Sequence, residues 1–115
     1  MTAYLIARVN VTDAEKYREY VKHTPRVVAL HGGRFIVRAM ESITLEGPEQ
    51  KLRTVVMEFP SLEHARAFYH SPEYAPVKAL RAGAGDAQLI AVEGYPRAEW
   101  EAALAASEAL GPKFA

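Results

Sequence analysis

Apolar and polar positions change period several times along the chain, and each change marks a predicted element. From Tyr4 to Val11, an apolar set (Leu5, Ala7, Val9, Val11) alternates with a mixed one (Tyr4, Ile6, Arg8, Asn10). A period of two with β-branched residues predicts a strand. Thr12-Asp13-Ala14-Glu15 then has the form of a capping box, with Thr12 as N-cap and Glu15 reaching back. Beyond it the spacing turns helical, with Tyr17, Tyr20, Val21 and Thr24 on one stripe. Pro25 predicts a kink or restart, because proline lacks an amide and disfavours helix at the residue before it. Val27, Val28 and Leu30 resume the stripe, and His31-Gly32-Gly33 ends it.

Alternation returns from Arg34 to Ala39, with Phe35, Val37 and Ala39 set against Arg34, Ile36 and Arg38. Strand character extends toward Ile43 and Leu45, and Gly47-Pro48-Glu49-Gln50 is the turn. Leu52 to Phe59 forms a third strand, with Val55, Met57 and Phe59 on one side. A hairpin centred near residue 48 brings Arg38 across from the neighbourhood of Glu58. Ser61 is the expected N-cap of a second helix carrying Leu62, Ala65, Phe68 and Tyr69. Ser71-Pro72 recaps it, and Tyr74, Val77 and Leu80 continue the stripe to Arg81. After Gly83 and Gly85, Gln88 to Val92 is a fourth strand, ended by Gly94-Tyr95-Pro96.

The order β-α-β-β-α-β predicts an α+β fold of the ferredoxin-like kind: a four-stranded antiparallel sheet with its helices on one face. Odd-numbered positions of the first three strands should pack on those helices. The domain spans 1–96, and 97–115 form a C-terminal helical extension. Arg97 to Leu110 is alanine-rich and amphipathic, with Trp100, Leu104 and Leu110 roughly on one side and Gly111-Pro112 as its stop. Such a helix is too short to be stable alone and is expected to dock on its own subunit or on a partner.

Composition narrows the function. At 115 residues with 14 basic and 14 acidic side chains, the chain is one domain of zero formal charge. Its basic residues are scattered, which argues against nucleic acid. Cysteine is absent, removing disulfides, thiolate metal sites and thiol nucleophiles. No apolar run approaches the roughly 18 residues of a membrane span, and Arg8 arrives too early for a signal peptide. The expectation is a cytoplasmic protein with no membrane partner.

The sheet surface turned away from the helices carries Ile6, Ile36, Val56, Ile90 and Val92 beside Arg8, Arg34, Arg38 and Glu58. It is too aliphatic for a solvated face and too charged for a dry core. Two such faces meeting around a polar cleft give a homodimer.

Several stretches together resemble a known family: Val11-Thr12-Asp13 with Tyr17 and Tyr20, Gly32-Gly33-Arg34-Phe35, Leu45-Glu46-Gly47, Val56-Met57-Glu58-Phe59-Pro60 and Ser71-Pro72-Glu73-Tyr74. From about Ala3 to Gly94 the chain is similar to the DUF1330 family, a domain of unknown function in the dimeric α/β-barrel superfamily. The resemblance implies a ferredoxin-like subunit whose sheet closes into a barrel with that of a second copy. It implies no particular activity, because that superfamily includes small monooxygenases, polyketide cyclases, lactone isomerases and ligand-sensing domains.

Three groups of residues carry candidate chemistry. Arg34 and Arg38 are ligand-binding candidates that would anchor a carboxylate or phenolate, with Glu58 as catalytic acid or base. The same three would also make an ordinary cross-strand salt bridge. Tyr69, Ser71 and Tyr74, at a break between helices, could orient a small ligand; equally, Ser71 caps a helix and the tyrosines fill core. Arg81 is either another anion contact or an answer to a helix dipole. His23, His31, His64 and His70 lack metal-ligand spacing, so no metal is expected. Phosphate loops, dinucleotide fingerprints and nucleophile elbows are missing, so no cofactor is expected. Two readings stand: a cofactor-independent enzyme or binder of a small anionic or aromatic metabolite, or a non-catalytic ligand-sensing or structural dimer module.

Overall fold

A computed structural model describes residues 1–112 and follows the element order read from the periodicity. Strand β1 (Ala3–Val11) leads into helix α1 (Ala14–Leu30), and β2 (Arg34–Arg38) and β3 (Arg53–Phe59) form the hairpin. Helices α2 (Leu62–Tyr69) and α3 (Tyr74–Ala79) precede β4 (Gly85–Glu93), and α4 (Arg97–Ala109) follows. The strands lie antiparallel in the order β2-β3-β1-β4, giving a ferredoxin-like sheet.

The odd positions of β1 and β3 face the helices, as their parity requires. Ala3, Leu5, Ala7 and Val9, with Val55, Met57 and Phe59, are buried against Val27 and Val28 of α1 and Phe68 of α2. Phe68 stacks between Phe59 and Tyr74, its ring centroid 5.4 and 4.5 Å from theirs. Gly85 lets β4 start beside β1: a Cβ there would overlap the Asn10 carbonyl.

Helix α1 departs from expectation at both its start and its middle. Asp13, not Thr12, is the N-cap; its Oδ1 accepts from the Lys16 amide at 3.1 Å. Thr12 is still held by the sheet side, donating its amide to the Ala84 carbonyl. Nor does Pro25 interrupt the helix, which runs unbroken through it. Proline removes the amide that should satisfy the Val21 carbonyl four residues earlier. That carbonyl accepts instead from Arg38 Nη2 at 2.6 Å and Thr24 Oγ1 at 3.2 Å. A guanidinium from the sheet thus replaces the missing helix bond.

The hairpin register is also different. Strand β2 ends at Arg38 without extending to Ile43 or Leu45. Arg34 stands opposite Glu58, and Arg38 stands opposite Val55. Between them lies a bulge: Phe35 pairs with Met57 and Val37 with Val56, so Ile36 is an extra residue. One extra residue reverses the parity of everything after it. Arg38 therefore projects to the helix side, while Arg34 stays on the open side.

On that open side, Ile90, Ile6, Val56 and Val37 form one row across all four strands. Val92, Tyr4, Glu58 and Arg34 form the next. Ile90, Val92, Ile36 and Val37 are exposed. Helix α4 buries none of its residues, and Trp100 stays half exposed, so the expected docking on its own subunit does not occur. The long axis is 53 Å and the radius of gyration 17.5 Å, against about 13 Å for a compact chain of this length.

Candidate functional site

Between α1 and the helix-facing side of the sheet lies a cavity of about 30 Å³. Its floor is two rows of the sheet: Leu89, Ala7, Val55 and Arg38, then Ala87, Val9 and Arg53. Its roof is the stripe Tyr17, Tyr20, Val21 and Thr24 of α1, and Arg81, just after α3, closes one side. Each charged wall residue is placed by a local feature. The bulge turns Arg38 inward, Arg53 shares the parity of Val55 and Met57, and the end of α3 delivers Arg81.

Three guanidiniums therefore share one small space, and no carboxylate lines it. Among the described residues, none of the three arginines forms an ion pair with an acidic side chain. Aromatic faces take part of the load: Arg38 lies 4.3 Å from the Phe35 ring centroid, Arg53 5.5 Å from Tyr17, and Arg81 5.5 Å from Tyr20. Arg38 is further satisfied by the Val21 carbonyl. Arg53 is not: its Nε is buried and has no acceptor. A buried donor left unpaired costs about 1–3 kcal/mol, more for a charged group, so its position beside a cavity calls for an acceptor there.

The hydroxyls supply donors. Tyr20 and Tyr74 are linked oxygen to oxygen at 2.7 Å, deep in the core. Tyr20 lines the cavity and Tyr74 does not. With Tyr74 donating to Tyr20, the Tyr20 proton is free to point into the cavity. Burial, with Tyr74 beside it, pushes the Tyr20 phenol well above the ordinary tyrosine range. Burial also raises Tyr17, against the lowering pull of Arg53 and Arg81. Both phenols are thus neutral donors at physiological pH. Burial works to lower the Arg81 pKa, but Tyr74 and Tyr20 outweigh it, so that guanidinium remains a cation.

The residues expected from sequence do not form one site. Arg34 and Glu58 meet on the open face at 3.5 Å, Arg34 largely exposed. Arg38 is on the opposite side of the sheet, so the triad Arg34, Arg38 and Glu58 is divided by the bulge. Ser71 caps the turn into α3, accepting from the Tyr74 amide at 3.0 Å and donating to the Phe68 carbonyl at 2.7 Å. Tyr74 is fully buried and does not line the cavity; its hydroxyl is linked to that of Tyr20, which does. Tyr69 packs against Tyr74, their ring centroids 5.7 Å apart, but lines an outer groove instead of the cavity, with the Lys78 ammonium 4.6 Å from its ring centroid. Sequence reasoning missed Arg53, although an arginine in register with Val55, Met57 and Phe59 was the available signal. Among the described residues no three His, Asp or Glu side chains are grouped to hold a metal, and no helix is long and apolar enough to cross a membrane.

Residues 2–95 match DUF1330, a domain of unknown function. The chain belongs to the DUF1330 family. No curated protein matches this DUF1330 chain in sequence. Among solved structures, a protein of unknown function from Rhodopseudomonas palustris is similar at a TM-score of 0.66 and 20% identity, over 83% of each chain. SnoaB, a cofactor-independent oxygenase from Streptomyces nogalater, is similar at a TM-score of 0.57 and 13% identity, over 83% of this chain and 94% of its own. A dimeric protein of unknown function with a ferredoxin-like fold from Bacteroides fragilis is similar at 0.51 and 10% identity, over 81% and 96%. At such identities the likeness is one of fold.

Proposed function

We propose that this DUF1330 protein binds a small organic anion in the cavity beneath α1, acting as a homodimer. The observation that carries the reading is the buried, unpartnered Arg53 Nε beside Arg38 and Arg81, with no carboxylate among the lining residues. An anionic oxygen held there would accept a hydrogen bond from Arg53, be held by the charges of its two neighbours, and accept a hydrogen bond from the Tyr20 hydroxyl. The aromatic and aliphatic walls favour a carboxylate or phenolate carried on an apolar body. Calorimetric titration with acetate and benzoate tests this. Saturable binding lost in Arg53→Met supports the site; equal heats in wild type and variant oppose it.

A second reading concerns the open face. Glu58, only a third exposed, lies beside Arg34 on a surface otherwise rich in aliphatics. Covered by a second copy, it becomes an enclosed carboxylate suited to proton transfer, and the protein a cofactor-independent enzyme. The dimeric ferredoxin-like relative supports the covering. Once a substrate is known, unchanged turnover in Glu58→Gln removes this role. Without turnover, the chain is a binding module.

A further inference from the structure

The inner cavity is about 30 Å³, room for an anionic head group but not for the body of a metabolite. Directly beside it, between α2, α3 and β4, runs an open groove of about 460 Å³. Arg81, Ala87 and Leu89 belong to the walls of both, so cavity and groove share one partition. A ligand that passed its head between these shared residues toward Arg53 would lay its body in the groove, against Leu89 and the Tyr69 ring.

The groove is itself cationic. Its charged or titratable lining residues are Arg66, His70, Lys78 and Arg81, and none is acidic. Arg66 is answered by Glu63 at 3.6 Å. Lys78 is not: among the described residues its ammonium meets no carboxylate and is held over the Tyr69 ring at 4.6 Å. A ligand body lying on Tyr69 would carry its far end to this ammonium. One cation cluster thus lines the cavity, and one free ammonium lines the adjoining groove.

We propose that the ligand carries two anionic groups on an apolar spacer, one held by Arg38 and Arg53 in the cavity and the other by Lys78 in the groove. This deepens the anion-binding reading and rests on it. Arg81, in the shared wall, lines both subsites and adds its positive charge to each.

The test is a calorimetric series on the full-length chain, pairing succinate, glutarate and adipate with butyrate, valerate and hexanoate. One diacid should bind about fivefold or more tighter than the monoacid of equal length, the gain of one additional charge-assisted contact. Lys78→Met, which keeps the stem over Tyr69 at an exposed position, should abolish that preference and leave monoacid affinity unchanged. Arg53→Met should weaken both classes. Equal affinity for diacids and monoacids in the wild type overturns the two-anion proposal while leaving the cavity reading intact. So does a Lys78→Met variant that weakens both classes alike. Absence of binding by either class overturns both.

Discussion

Arg53 and Tyr20 show how a side chain's surroundings convert an ordinary residue into a candidate binding group. An arginine in a strand usually reaches water along its flexible stem. Parity instead turns Arg53 under α1 with Val55 and Met57; the residue is half-buried and its Nε is sealed off without an acceptor. Tyr20 is held by Tyr74 at 2.7 Å and buried, so its proton is retained far into alkaline solution. An unfolded tyrosine ionises near pH 10. Above about that pH the unfolded state binds fewer protons than the folded state, so stability is level at lower pH and declines as pH rises. Tyr20→Phe removes this titration. Its unfolding free energy in urea should fall less steeply than the wild type's between about pH 9.5 and 11; parallel slopes would show that Tyr20 is not the group responsible.

At the scale of elements, the instructive pair is α1 and β2. Pro25 leaves the Val21 carbonyl without its helix partner, and Arg38 supplies the replacement from across the layer at 2.6 Å. Arg38→Met should cost about 1–2 kcal/mol by urea denaturation, because the carbonyl keeps only the weaker Thr24 contact. Pro25→Ala restores the amide, so the cost of Arg38→Met in that background should shrink by about 1 kcal/mol. Strict additivity would mean the two positions are not coupled.

The same pair marks the limit of what could be read from sequence. Strand parity alone placed β1, β3 and their buried faces, and capping chemistry placed Ser61 at the head of α2, because those signals are local. The bulge at Ile36 is set by the fit of β2 to β3, and no residue type announces it. It moved Arg38 across the sheet and dissolved the expected triad with Arg34 and Glu58. Pro25 misled for a related reason: its local penalty is offset by a contact from 13 residues further along the chain. Two of the cavity's three charges were nevertheless visible, since Arg38 and Arg81 were both weighed as anion contacts.

For the whole molecule, the question is what covers the open face. The row Ile90, Ile6, Val56 and Val37 crosses all four strands, but Ile6 and Val56 are already partly shielded. Covering them is worth about 1 kcal/mol each, against an association cost of roughly 4–15 kcal/mol. A stable homodimer thus needs further apolar surface, and Trp100 and Leu104 on α4 are exposed and available. Sedimentation equilibrium should give twice the 12.7 kDa chain mass. Ile90→Asp, at an exposed position, should return the single mass without changing the fold, and removal of α4 should weaken the dimer. A wild-type chain that sediments as one copy at micromolar concentration contradicts the dimer and the enclosed role of Glu58, but not the cavity.

The claim on which the functional reading turns is that an anion belongs beside Arg53. The direct measurement is the proton–nitrogen spectrum of the arginine side chains during titration with acetate, with the Arg53 Nε resonance assigned by its loss in Arg53→Met. That resonance should exchange slowly with water and shift saturably as acetate is added, with Arg38 and Arg81 following the same curve. If the Arg53 signal stays fixed while only exposed arginines such as Arg34 respond, the cavity is not an anion site.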